Sequence, residues 1–218
     1  MASQDVIERL IIWILLVVAL TVHEWAHAWS AYKLGDDTAA LEGRLTFNPL
    51  AHIDPLGTVI LPLLGVPFGW AKPVPINPSR FRRNISPGTG MMLTAIAGPI
   101  SNLILAFLSL ALFASTLRFG DLSPEFMRSL WMVLGMFASL NIVLAVFNMF
   151  PIPPLDGSRV ADFLMPRTLR PAWDQFVSLG PFILLAFIML PRIANVNLIE
   201  GPHNWVMKQM LSLVSWLA

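Results

Sequence analysis

Residues 10–20 read LIIWILLVVAL, and the run continues directly into TVHEWAHAW at 21–29. Taken as 6–34, this segment exceeds the roughly 20 residues that cross a hydrocarbon core. Three further segments, 90–117, 127–150 and 174–193, are also long enough to span. Inside a bilayer the backbone has no water to bond, so runs of this kind can only close their hydrogen bonds as helices. Composition agrees. A soluble domain carries about 25% charged residues, whereas this chain has 12% charged and 56% hydrophobic residues. So few charges cannot cover so much apolar surface in water, and lipid must solvate much of the chain.

The expected fold is an all-α polytopic membrane protein, one domain over 1–218, with four to five membrane helices. The fifth segment, 203–217 (HNWVMKQMLSLVSWL), is short and carries Lys208. It is read as a short span or, by preference, as an amphipathic helix at the interface. Residues 35–89 are too apolar for a plain linker. LEGRLTF and TVILPLLGVPFGW read as short strands, a membrane-associated β-hairpin between the first two helices. AKPVPINPSRF then runs extended, because each proline biases its predecessor away from helix. The leader MASQDVIERL sets Asp5 and Glu8 against Arg9, and no small-residue cleavage site follows. The first run is therefore expected to stay in the protein rather than be removed as a secretory signal.

Orientation follows from the 14 Lys and Arg. With the N-terminus outside, Lys33, Arg44, Lys72, Arg80, Arg82, Arg83, Arg159, Arg167 and Arg170 fall on the cytoplasmic side. Arg9, Arg118, Arg128, Arg192 and Lys208 fall on the other. The excess favours that orientation. The net charge of +1 gives no reason to expect nucleic acid. Cysteine is absent, so any metal must be held by nitrogen and oxygen.

His23 and His27 are four apart, so on a helix they share a face with Cβ atoms about 5–6 Å from each other. That spacing lets two imidazoles bind one zinc ion, while Glu24, one step round, serves as general base. A carboxylate deep in a membrane helix costs on the order of 2.5–3.5 kcal/mol, and insertion does not require it. Zinc needs a third protein ligand. The leading candidate is Asp156 in FNMFPIPPLDGSRV, where Pro151, Pro153 and Pro154 break the helix and Gly157 allows a turn. His52 and Asp54 in AHIDP are also metal-capable, although prolines and side-chain hydrogen bonds explain that stretch as a turn. Arg80, Arg82 and Arg83 read as headgroup anchors and His203 as interfacial.

HEWAH at the end of one membrane helix, with Asn148, Pro151, Pro153, Leu155, Asp156 and Gly157 forming N-x-x-P-x-P-x-L-D-G later, resembles the site-2 protease family of intramembrane zinc metalloproteases. FNPLAHIDPLGT, GWAKPVPINPSRF and AGPISN are also similar to short prokaryotic members, so the resemblance covers 10–165. It implies one zinc ion per chain on His23, His27 and Asp156, with Glu24 as the catalytic base. Asn148 would hold the substrate or polarise its carbonyl, and Asn102 would face the same cavity and bind substrate. It implies hydrolysis of peptide bonds within or near transmembrane segments of membrane proteins or leftover signal peptides. It also implies a multi-pass place in a prokaryotic cell membrane with the site toward the cytoplasm. Many relatives carry an extra leading helix or a PDZ or CBS domain. Here 35–89 is too short for a PDZ insertion, and a regulatory protein selecting substrate is expected in trans, if one is used. Two rivals are a membrane metal-ion transporter, since intramembrane His, Glu and Asp also mark ion paths, and a non-catalytic binding protein. Neither needs the base at Glu24.

Overall fold

The computed structural model describes residues 2–63, 69–119, 123–194 and 196–216. Helix α1 spans Ala2–Leu34, α2 Pro87–Phe119 and α3 Pro124–Asn148. All three are long and apolar enough to cross a membrane. Their ends are set by local chemistry. α1 stops at Gly35, whose φ of 113° suits glycine alone. There the Gly35 N–H donates to Tyr32 O and the Asp36 N–H to Ala31 O, a pairing that satisfies the last carbonyls of a helix. α3 starts at Ser123, whose hydroxyl accepts from Phe126 N, followed by Pro124, a residue suited to the first helical position.

α2 shows how a membrane helix sorts its faces. Ile100, Ile104, Leu108 and Leu112 recur every four residues and are exposed, a lipid-facing stripe. Gly98, Asn102, Ala106, Leu110 and Ala114 recur at the same interval and are buried. Small residues on that inner stripe allow close backbone approach. Ala106, Leu110 and Ala114 pack against Ala138 and Ile142 of α3 and Val214, while Gly98 and Asn102 of the same stripe face α1.

Beyond α3 come α4 (Asp156–Leu164), α5 (Arg170–Ser178), α6 (Gly180–Ala194) and α7 (Glu200–Val214). The expected single span at 174–193 is broken: the α5 and α6 segments meet at 69°. Pro181 lacks an N–H and disfavours helix at its predecessor, so the chain turns at Leu179–Gly180. The structure thus has three helices that can cross, or four if the bent pair counts as one span. At 15 residues, α7 is about 22 Å long, and it packs on α2 and α3. His203, expected at the interface, bonds Ser139 of α3 at 2.9 Å.

Among the described residues there is no strand, so the β-hairpin is not formed; residues 64–68 of the expected second strand lie outside the described residues. A short helix, Thr38–Leu41, takes the first residue of the expected first strand, 42–47 is turn, bend and irregular backbone, and Pro55–Ile60 is a wide helical turn. Asp54 caps that turn, its Oδ1 accepting from the N–H groups of Leu56 (3.0 Å) and Gly57 (2.7 Å). Capping with Pro55 at the first position outweighs the β-branched Thr58, Val59 and Ile60. Asp54 is spent on this cap, and His52 Nε2 donates to Thr46 O while its Nδ1 is buried without a hydrogen-bond partner. Arg80, expected as a headgroup anchor, pairs with Asp37 at 2.6 Å.

The loop instead folds down the side of α1. Asp36 Oδ2 accepts from Asn77 N at 2.6 Å and Glu24 Oε2 from Val74 N at 2.9 Å. Trp13 Nε1 donates to Thr58 O at 2.7 Å. Glu24 and Trp13 are separated by about 16 Å of helix, so the segment descends that far along a membrane helix. Its backbone is tolerated at depth because protein groups satisfy it.

Removing the cap tests this account. Asp54→Ala should cost about 1 kcal/mol locally. Amide exchange at Leu56 and Gly57 should accelerate about fivefold, with protection across α1 unchanged. Unaltered exchange at both amides would contradict it.

Candidate metal centre

α1 presents His23, Glu24 and His27 on its inner face, all less than 10% exposed. α2 makes room for the rings at Gly98, where a side chain would run into both imidazoles. The chain after α3 turns through Met149–Leu155 and starts α4 at Asp156. Gly157 permits this, because a Cβ there would strike the Met149 carbonyl. Asp156 thereby reaches the histidines. Its Oδ2 lies 3.2 Å from His23 Nε2 and 3.3 Å from His27 Nε2, and the two Nε2 atoms are 3.0 Å apart.

Hydrogen bonds behind the rings determine what these atoms can be. The Phe137 carbonyl can only accept, so Asn141 gives it Nδ2 at 2.8 Å. The Asn141 Oδ1 then accepts from Asn102 Nδ2 at 2.8 Å, which leaves Asn102 Oδ1 facing His23 Nδ1 at 2.6 Å. His23 Nδ1 is therefore a donor. His27 Nδ1 is one too, because it faces the Thr94 carbonyl at 2.7 Å. In neutral imidazoles with protonated Nδ1, Nε2 is a lone pair. Two lone pairs and a carboxylate oxygen thus converge, and that oxygen is buried without a hydrogen-bond donor.

Such a trio needs a cation between its members. The spacings lie at or just inside the ligand edges of a tetrahedral site with bonds of about 2.0–2.2 Å, which are roughly 3.3–3.6 Å. Two imidazoles and a carboxylate form a zinc donor set that leaves a fourth position open. Among the described residues, His23, His27 and Asp156 form the one group able to hold a metal ion.

The trio opens on a cavity of about 610 Å³, lined otherwise by Glu24, Asn148, Arg159 and mostly apolar side chains. Glu24 is beside the donors but outside them, with Oε2 on the Val74 N–H. Asn148 lines the cavity and gives Nδ2 to Leu144 O at 3.0 Å. Asn102, expected to meet substrate, is instead fully buried and occupied by His23 and Asn141. Asn141, Thr94 and the ring space at Gly98 were not anticipated. Asn141 did leave a signal: an asparagine inside an otherwise apolar span must find a partner within the protein.

Groups that orient ligating histidines typically contribute 10–100-fold to metal affinity. Asn102→Leu and Gly98→Ala should each weaken zinc binding by about that range, measured by chelator competition on the purified protein. Wild-type affinity in both would refute the arrangement.

Comparison with known proteins places these features. Residues 119–191 match the model of Peptidase family M50. The chain is 42% identical over 179 residues to "Putative zinc metalloprotease YwhC" of Bacillus subtilis, covering 82% of this chain and 80% of that one. It is 32% identical over 176 residues to "Putative zinc metalloprotease Rip2" of Mycobacterium tuberculosis, covering 79% of this chain and 64% of that one. A Rip2 of Mycolicibacterium smegmatis is 30% identical over 178 residues, 81% of this chain and 66% of the other. No solved structure matches the chain. With its buried His-His-Asp donor set and membrane-spanning helices, the chain belongs to the site-2 protease family of zinc metalloproteases, peptidase family M50.

Proposed function

We propose that the protein is an intramembrane zinc endopeptidase of the HExxH type, hydrolysing peptide bonds within or near transmembrane segments of other membrane proteins or of leftover signal peptides. The observation that carries this is the convergence of His23, His27 and Asp156 with Glu24 in one cavity between membrane helices. One zinc ion per chain would be held by those three ligands. Zinc, when bound, supplies Lewis acidity that acidifies a water and polarises a carbonyl.

The remaining steps belong to the chain. Glu24 takes the proton from the attacking water and returns it to the leaving amine. Its anchorage on Val74 N–H keeps the carboxylate turned to the cavity. Asn148, on the cavity wall, steadies the substrate carbonyl. Apolar neighbours such as Leu20, Leu144 and Phe147 limit water to what the reaction needs.

A transmembrane helix shields its own peptide bonds, so substrate must unwind to be cut. Residues 70–74 offer it an edge. Thr58 Oγ1 bonds Trp70 O, Lys72 N bonds His52 O, Arg44 bonds Lys72 O, and Val74 N bonds Glu24. The even-numbered residues are taken on the protein side, so the backbone of Ala71, which lines the cavity, faces an incoming strand. The pairing edge is thus the return arm of the loop rather than its descending part.

The site opens to the cytoplasmic side of a prokaryotic cell membrane, on the positive-inside balance. A regulatory protein acting in trans is compatible with this arrangement. Glu24→Gln tests the reading. Cleavage of membrane proteins, followed by mass spectrometry of peptides in native membranes, should fall by about 10²–10⁴-fold. Bound zinc should stay at the wild-type level. Undiminished cleavage would overturn the role of Glu24, and metal flux into vesicles surviving the change would favour transport.

A further inference from the structure

Arg159 is the one charged residue lining the cavity that the proposed chemistry does not use. It sits three residues after Asp156 on α4, so the two side chains leave the same face of that helix. It is exposed, which places it at the mouth rather than among the buried donors.

The acids around it are already occupied. Asp156 faces His23 and His27. Glu24 accepts from Val74 N. Asp162, three residues further along α4, accepts from Trp173 Nε1 at 2.8 Å and pairs with Arg170 at 3.2 Å. No ion pair of Arg159 occurs among the described residues. The charge balance then leaves a surplus. A divalent ion on the three ligands is neutralised by Asp156 and Glu24, so the guanidinium gives the mouth a net positive charge beside an otherwise apolar cavity.

Resting on the protease reading above, we propose that Arg159 is a specificity-determining residue: it binds a carboxylate of the substrate chain that flanks the cleaved bond. A planar guanidinium with five donors suits a carboxylate. Its exposure argues against a role at the scissile oxygen, because a donor in water stabilises developing charge weakly. The carboxylate is either an Asp or Glu side chain or the end of a short substrate chain. Both share the chemistry, and the position of the cut tells them apart.

The test is a comparison of membrane-derived peptides from cells carrying the wild-type protein, E24Q, R159Q, R159K and R159E. Products absent from E24Q define the cut sites. With wild type, Asp or Glu is enriched at a fixed distance on one flank, or the cuts lie a fixed few residues from a free C-terminus. R159K keeps that preference and R159Q flattens it, lowering cleavage of acidic sites about three- to tenfold relative to neutral ones. R159E shifts the preference to Lys or Arg. Zinc content equal to wild type shows that the variants are folded. An unchanged site profile in R159E overturns the proposal, as does a uniform loss across all sites, which would assign Arg159 to the oxyanion. If E24Q removes no peptides, the protease reading falls and this inference falls with it.

Discussion

Three acceptors, His23 Nε2, His27 Nε2 and Asp156 Oδ2, face one another at 3.0–3.3 Å inside a membrane protein. In water such a cluster would dissolve into solvent hydrogen bonds. Here the surroundings are helices and lipid, and desolvated polar groups are costly unless compensated. The arrangement exists because other parts of the fold hold it. Asn102 and Asn141 fix one ring, the Thr94 carbonyl fixes the other, and Gly98 leaves the space both rings occupy.

The same requirement explains the loop between α1 and α2. A backbone that descends about 16 Å along a membrane helix has to be satisfied by side chains from that helix and from itself. Trp13, Glu24, Asp36 and Arg44 meet that need at Thr58, Val74, Asn77 and Lys72. Glu24 is thus both a support for the loop and, in the proposed chemistry, the base. Joining the two roles brings the return arm of the loop and the cavity side by side, so the segment that would receive a substrate strand is tied to the residue that would act on it.

Much of this was legible in the residues. Apolar runs set α1, α2 and α3 within a few positions of their observed ends, because a bilayer accepts few alternatives to helix. HEWAH carried its own geometry, since a four-residue spacing on a helix fixes the shared face. Other features were less legible. The β-branched run at 58–60 read as strand, but a capped turn at Asp54–Pro55 decided it locally. The segment 174–193 read as one span, but Pro181 bends it. Asn102 read as a substrate contact through family likeness, whereas packing against Asn141 turned it toward His23.

What the sequence determined by itself is therefore local and periodic: which stretches are helical in lipid, which helical face carries two imidazoles, and that no thiolate takes part. Only the tertiary structure decided that Asp156, 129 residues after His27 in the numbering, arrives within 3.3 Å of it, and that the amide relay behind the rings leaves their lone pairs facing inward. Helix periodicity acts over a few residues and needs no partner. Bringing distant segments together depends on how the inner stripes of α1, α2 and α3 pack, on the space left by Gly98 and on the tight turn at Gly157.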